Sequence, residues 1–189
     1  MHIVFVCTGN ICRSPMAELL MSRYLTDTSV RVSSAGTRGL PNHPIDPSSA
    51  RLMHSIGIDP SEFRSRRLTR SIASSADLIL CFERVQRQQI VAVAPAAVHY
   101  TFMLNEFAEL CVHCARRGLV RGLTIQERLR SVVDAAPLIR ASMPEIQDIE
   151  DPHGQDFAYF EIAADDTNRA LRRILTSMRK HYGMFDSLQ

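Results

Sequence analysis

The sequence predicts a three-layer α/β/α domain on a four-stranded parallel sheet, with a helical insertion. Three observations lead there. Short apolar runs of β-forming residues alternate with helix-spaced segments, and such alternation needs crossover connections and therefore a parallel sheet. The runs themselves, such as HIVFV (2–6) and ADLILCF (76–82), are apolar throughout, as strands covered on both faces are. The chain of 189 residues, 46% apolar and 22% charged, is long enough to bury a core without disulfides. Residues 1–189 are expected to form one domain, with the insertion at about 105–147.

Taken in order, HIVFV is the first strand. After a turn, Pro15 stands near a helix start, and Met16, Leu19, Leu20 and Tyr24 keep helical spacing. VRVSSAGT (30–37) is a second strand ending in a Gly turn. DPSSARLMHSIG (46–57) gives a cap, a Pro, helix-spaced Leu52, Met53 and Ile56, and a stopping Gly57. ADLILCF is the third strand, ERVQRQQIVAVAP a helix closed by Pro95, and VHYTF (98–102) the fourth strand. From Asp165 to His181, with Leu171, Ile174, Leu175 and Met178 on one face, a closing amphipathic helix is expected.

Composition narrows the function classes. A net charge of +2 argues for no particular polyanionic partner, so any anion site must be local. The start MHIVFVC lacks a basic segment and a long apolar run, and the longest near-apolar run, IVAVAPAAV (90–98), is too short to span a bilayer. Five cysteines, two of them in one turn, read as thiols of a reducing compartment. A cytoplasmic protein that binds neither membrane nor nucleic acid is expected.

The chemistry concentrates in VFVCTGNICRSP (4–15). A loop between a strand end and a helix start collects backbone N–H groups with no helical acceptor, and the helix dipole adds to them, which makes an anion site. Gly9 and Asn10 are the residue types best able to take left-handed angles, letting successive N–H groups point inward. Arg13 adds a planar fork matched to two phosphate oxygens. Cys7 stands at the other end, where the dipole and Arg13 favour its thiolate. A thiolate under a bound phosphate is placed to attack phosphorus, and Ser14 can donate its hydroxyl to it.

VCTGNICRSP (6–15), SAGT (34–37), ADLILCF (76–82) and DP (151–152) resemble the motifs of the low-molecular-weight protein tyrosine phosphatases. The resemblance spans residues 1–104 and 148–183. It implies hydrolysis of phosphotyrosine-containing proteins or small phosphate monoesters, without metal or other cofactor, with inorganic phosphate as a competitive inhibitor. By resemblance Cys7 is the nucleophile. Thr8, Gly9, Asn10, Ile11, Cys12 and Arg13 form the phosphate-binding loop, Arg13 gripping the phosphoryl group. Asn10, Ser14 and Ser34 support that loop, and Asp151 is the general acid. Cys12 stands where the family has a second loop cysteine that forms a reversible disulfide with the nucleophile. From spacing alone Asp151-Pro152 reads first as an ordinary turn, a reading that the resemblance reverses, and Asp148, Glu150 and Asp156 share the same acidic stretch.

Departures from the family pattern fall on the substrate walls. Leu40 and His153 stand where aromatic residues usually grip the leaving group, and losing a ring contact removes about 0.5–1.5 kcal/mol. Phe63, Phe82, Glu83 and Gln86 replace the usual His, Met, Asp and Asn. In the insertion, Thr124 and Glu127 mark a capped helix, and NEFAELCVHCARRG (105–118) reads as another. Lying between the fourth strand and the acid loop, this hairpin is expected near the active-site rim, as a pocket cap, a partner or dimer contact, or a packing unit. Cys111, His113 and Cys114 lack a second ligand pair and read as core, and Arg116, Arg117, Arg121, Arg128 and Arg130 as a solvated face. His2, His43, His54, His99 and His181 show no ligand spacing. Two other functions remain: a phosphoprotein-binding module without turnover, and arsenate reduction, for which Cys81 has Gln88 where a relay thiol is needed.

Overall fold

The computed structural model describes residues 1–179. Four parallel strands, β1 (His2–Cys7), β2 (Arg31–Gly36), β3 (Leu78–Cys81) and β4 (Thr101–Met103), lie in the order β2-β1-β3-β4. Helices α1 (Arg13–Tyr24), α2 (Pro47–Ser55), α3 (Arg70–Ser74), α4 (Arg84–Val93), α5 (Leu104–Arg116), α6 (Ile125–Ile139) and α7 (Phe157–Ser177) complete it. Every residue of β1 is buried, because the strand alternates its side chains between two cores. Ile3 and Phe5 pack with α1, α5, α6 and α7, while Val4 and Val6 face the second core with Ala73, Ile90 and Ala97.

Three elements differ from expectation. Pro95 opens a tight 3-10 turn through His99 that buries Ala97, so β4 begins at Thr101 and not at Val98. The short α3, capped by Thr69 accepting from Ile72 N–H, has too few residues for a readable period. The closing helix starts at Phe157, eight residues before Asp165, because Phe160, Ala163 and Thr167 continue its buried stripe. The expected last residues of that helix, Lys180 and His181, lie outside the described residues. Among the described residues no helix is long and apolar enough to cross a membrane.

The expected hairpin forms, but its tip does not lie at the rim. α5 starts directly after β4 and buries Leu104, Phe107, Leu110, Cys111 and Cys114 against the sheet and α7. Cys111 and Cys114 are therefore core thiols, and burial raises both above the ordinary thiol range. α6, held by its Thr124–Glu127 capping box, returns with Leu129, Val132, Ala136 and Ile139 buried. Gln126 bonds Ser29 and Arg130 pairs with Asp77, residues that precede β2 and β3. The hairpin tip thus sits at the amino ends of the strands, opposite the edge where Cys7 emerges. Arg128 reaches the Gly122 and Met178 carbonyls, so part of the basic face fastens the hairpin down.

Since α5 belongs to the main core, Phe107→Ala should cost about 3–5 kcal/mol in urea unfolding, whereas Leu123→Ala at the tip, 81% exposed, should stay within about 0.5 kcal/mol.

Candidate active site

β1 delivers Cys7 to the carboxyl edge of the sheet, and residues 8–12 turn the chain into α1. The turn closes at Asn10, whose φ of 57° lies in the left-handed region; Gly9 does not share it. Asn10 is fully buried, and its side chain makes three hydrogen bonds that use both of its donors: Nδ2 donates to Ser14 Oγ (2.9 Å) and Ser34 Oγ (2.7 Å), and Oδ1 accepts from Arg66 N–H (2.8 Å). With Ser14 Oγ accepting from Asn10, its proton is free to point at Cys7 Sγ, 2.9 Å away. Asn10 N–H also donates to that sulfur (3.3 Å). Cys7 therefore has two donors aimed at it, which a thiolate requires.

The residues packed behind the loop explain SAGT. A Cβ on Gly36 would meet Thr8 O at 2.7 Å and Asn10 N at 2.9 Å, so only glycine admits the loop this close. Thr37 and Arg38 N–H then bond the Cys7 and Thr8 carbonyls. Ser34 passes the Asn10 bond on to Glu18 (2.5 Å), and Arg66 Nε holds the Ser34 carbonyl. Glu18 and Arg66 were not found by sequence reasoning, because their contacts come from the second turn of α1 and an irregular segment.

Arg13 is 1% exposed. Its Nη1 donates to the Ile149 carbonyl (2.7 Å) and lies 3.1 Å from Glu83 Oε2, and Phe82 stands under the guanidinium at 5.7 Å. Nη2 approaches Asp151 Oδ2 at 2.6 Å without hydrogen-bond alignment, so Nη2 and Nε are buried donors that no protein acceptor satisfies. Gln86 completes the frame: it is buried, accepts from Phe82 and Glu83 N–H and donates to Thr8 Oγ1. The family departures at Phe82, Glu83 and Gln86 thus keep a working support. Phe63 lies elsewhere, packed against the main core.

A pocket of about 230 Å³ opens over the loop, lined by Cys7, Thr8, Gly9, Ile11, Cys12 and Asp151, with Arg38, Leu40, His43 and His153 around it. Leu40 and His153 both stand at this mouth. Of the acidic rivals, Asp148 caps Arg84 N–H and Asp156 starts α7; neither they nor Glu150 line the pocket. No residue of 105–147 lines it either, which removes the hairpin as its cap. Cys81 is buried in the sheet with its thiol on the Phe102 carbonyl (3.4 Å), and burial pushes it up to about 12.

A family model described as low molecular weight phosphotyrosine protein phosphatase matches residues 2–115, a stretch that includes most of α5. A probable low molecular weight protein-tyrosine-phosphatase, EpsP of Ralstonia nicotianae, is 41% identical over 141 residues, 74% of this chain and 96% of the relative. Etp of Escherichia coli K12 is 38% identical over 57% of this chain and 71% of its own length. Among solved structures, the tyrosine phosphatase Wzb from Escherichia coli K30 with sulphate superposes with a TM-score of 0.70 at 24% identity, covering 94% of this chain and 98% of that one. YwlE arginine phosphatase from Geobacillus stearothermophilus gives 0.69 at 25% identity, covering 94% and 92%.

Burial raises the Glu18 carboxyl above its ordinary range, so the fold prefers the protonated acid. That contribution is full below the ordinary carboxylate range and is lost as pH rises through the raised value. Glu18→Gln, which cannot ionise, should therefore gain stability relative to wild type between about pH 4 and about pH 7.5, read by denaturant unfolding at both.

Proposed function

The chain belongs to the low molecular weight protein-tyrosine-phosphatase family and is thus a phosphatase, and from that premise we propose that it hydrolyses phosphotyrosine in proteins through a phosphocysteine on Cys7. The observation that carries the mechanism is the buried Arg13 fork, whose Nε and Nη2 lack acceptors beside a loop of backbone donors. A phosphate dianion supplies the missing oxygens. Two parallel N–H···O bonds to Arg13 then fix the phosphorus over Cys7 Sγ.

The thiolate attacks phosphorus, the S–P bond forms, and the ester P–O bond breaks. Asp151, at the pocket wall, gives its proton to the departing oxygen. Its carboxylate then takes a proton from water, which attacks phosphorus from the vacated side. The S–P bond breaks, and inorganic phosphate and the thiolate return. Charge on the equatorial oxygens is met by Arg13 and the loop N–H groups, donors already in place before the reaction. No metal enters the scheme.

The mouth favours a flat apolar leaving group only moderately. Leu40 is 63% exposed and gives contact without stacking. The rings at the opening are the imidazoles of His153 and His43. The 41% relative is named a tyrosine phosphatase and the 25% neighbour an arginine phosphatase, so phosphotyrosine and phosphoarginine peptides form the direct comparison. Arsenate reduction finds no support, since the Cys81 thiol is sealed in the sheet.

Hydrolysis of p-nitrophenyl phosphate with a chelator present tests the scheme. Turnover should vanish in Cys7→Ser and fall about 10²–10⁴-fold in Asp151→Ala, while Asp156→Ala keeps the wild-type rate. A fall confined to Asp156→Ala would reassign the acid. Folded wild-type protein that binds phosphate without turnover would instead establish the binding module. Arg13→Lys keeps the charge but not the fork, and competitive inhibition by phosphate should weaken by about tenfold or more.

A further inference from the structure

Three potential metal ligands meet at the mouth of the pocket from three distant parts of the chain. Cys12 Sγ, a carboxylate oxygen of Asp46 and a ring nitrogen of His153 all lie within 4.8 Å of one another. Asp46 uses Oδ1 to cap Ser48 N–H (2.8 Å), leaving Oδ2 turned to His153 Nδ1 at 3.9 Å. The backbone holds this geometry, because Asp46 N–H donates to the Ile11 carbonyl and so ties the start of α2 to the loop that carries Cys12. Beside Cys12 lies Ser49, whose buried hydroxyl has no hydrogen-bond acceptor in the protein. A thiolate at Cys12 would give it one, the outer-sphere bond that metal-bound sulfur commonly accepts.

We propose that Cys12, Asp46 and His153 form a site for a thiophilic divalent cation, Zn²⁺, that closes the substrate pocket when filled. One sulfur, one imidazole nitrogen and one carboxylate oxygen suit Zn²⁺ and not the oxygen-seeking Mg²⁺ or Ca²⁺. Bond lengths of about 2.0–2.3 Å set tetrahedral ligands roughly 3.3–3.8 Å apart. His153 is mostly exposed on a loop, so a modest ring rotation closes the remaining gap. The fourth position opens toward the pocket and takes water. On binding, the Zn–S bond replaces the Cys12 S–H bond, the proton leaves to solvent and no oxidation state changes. Cys12 and His153 both line the pocket with Cys7 and Asp151, so the bound cation and the drawn-in His153 ring obstruct the approach to the nucleophile. His153, an outlier from the family pattern, is what completes the set.

The test separates this site from the nucleophile itself and does not depend on turnover. The full-length Cys7→Ser chain, in buffer free of phosphate and chelator, is titrated with Zn²⁺ by calorimetry and with Co²⁺ by absorption. One equivalent should bind, with the thiolate-to-Co²⁺ charge-transfer band that reports a cysteine ligand. On the same background Cys12→Ser should abolish the band, and His153→Ala and Asp46→Asn, the latter keeping the α2 cap, should each weaken Zn²⁺ binding at least about tenfold. Thermal melts of the variants check that the fold is retained. A band present in wild type and absent in Cys7→Ser, or a Zn²⁺ affinity that His153→Ala leaves unchanged, overturns the assignment.

Discussion

The site depends on burying one guanidinium. An ion withdrawn from water is tolerated only when its partners are in place beforehand, and those of Arg13 come from separate parts of the fold. Glu83 arrives from the turn after β3, the Ile149 carbonyl and Asp151 from the segment that returns after α6, and Phe82 from below. That segment is itself pinned, Ile149 N–H bonding the Phe82 carbonyl and Asp148 accepting from Arg84 N–H. Compensation is incomplete in one direction: Nε and Nη2 have no hydrogen-bond acceptor, which creates demand for an anion beside the loop.

The loop was legible because its logic is local. Cysteine, a left-handed Asn10, Arg13 and a helix start fall within nine residues, and β1 and α1 fix their relative places. Strands buried on both faces and the Thr124–Glu127 cap were legible for the same reason, as short-range patterns with one physical meaning. What stayed hidden was whatever distant segments decide together. No spacing announces that Glu18 accepts from the Ser34 hydroxyl or that Arg66 N–H meets Asn10. The hairpin misled for a related cause: its neighbours in sequence lie at the active edge, yet its apolar stripe is satisfied only along the sheet, which carries its tip to the opposite end.

Asn10 shows how far one local choice spreads. Its left-handed turn lets backbone N–H reach Cys7, and its amide then clamps Ser14 on α1, Ser34 on β2 and the Arg66 backbone. The loop is thereby held in a working shape by bonds that do not involve ligand. Preorganisation of this kind places the reorganisation cost in folding and not in the chemical step.

The contact between Arg13 and Asp151 bears on phosphate binding as well as on the fold. The Asp151 carboxylate stands at 2.6 Å from Nη2 and supplies part of the negative charge that the guanidinium calls for. An incoming phosphate dianion competes for the same donor with two oxygens in better alignment, and Asp151, 40% exposed, has room to swing aside. The anion and Asp151 thus share one donor: on the proposed scheme, the phosphate that occupies Nη2 also releases the Asp151 side chain from it, so that a single contact couples seating of the substrate to freeing of the proposed acid.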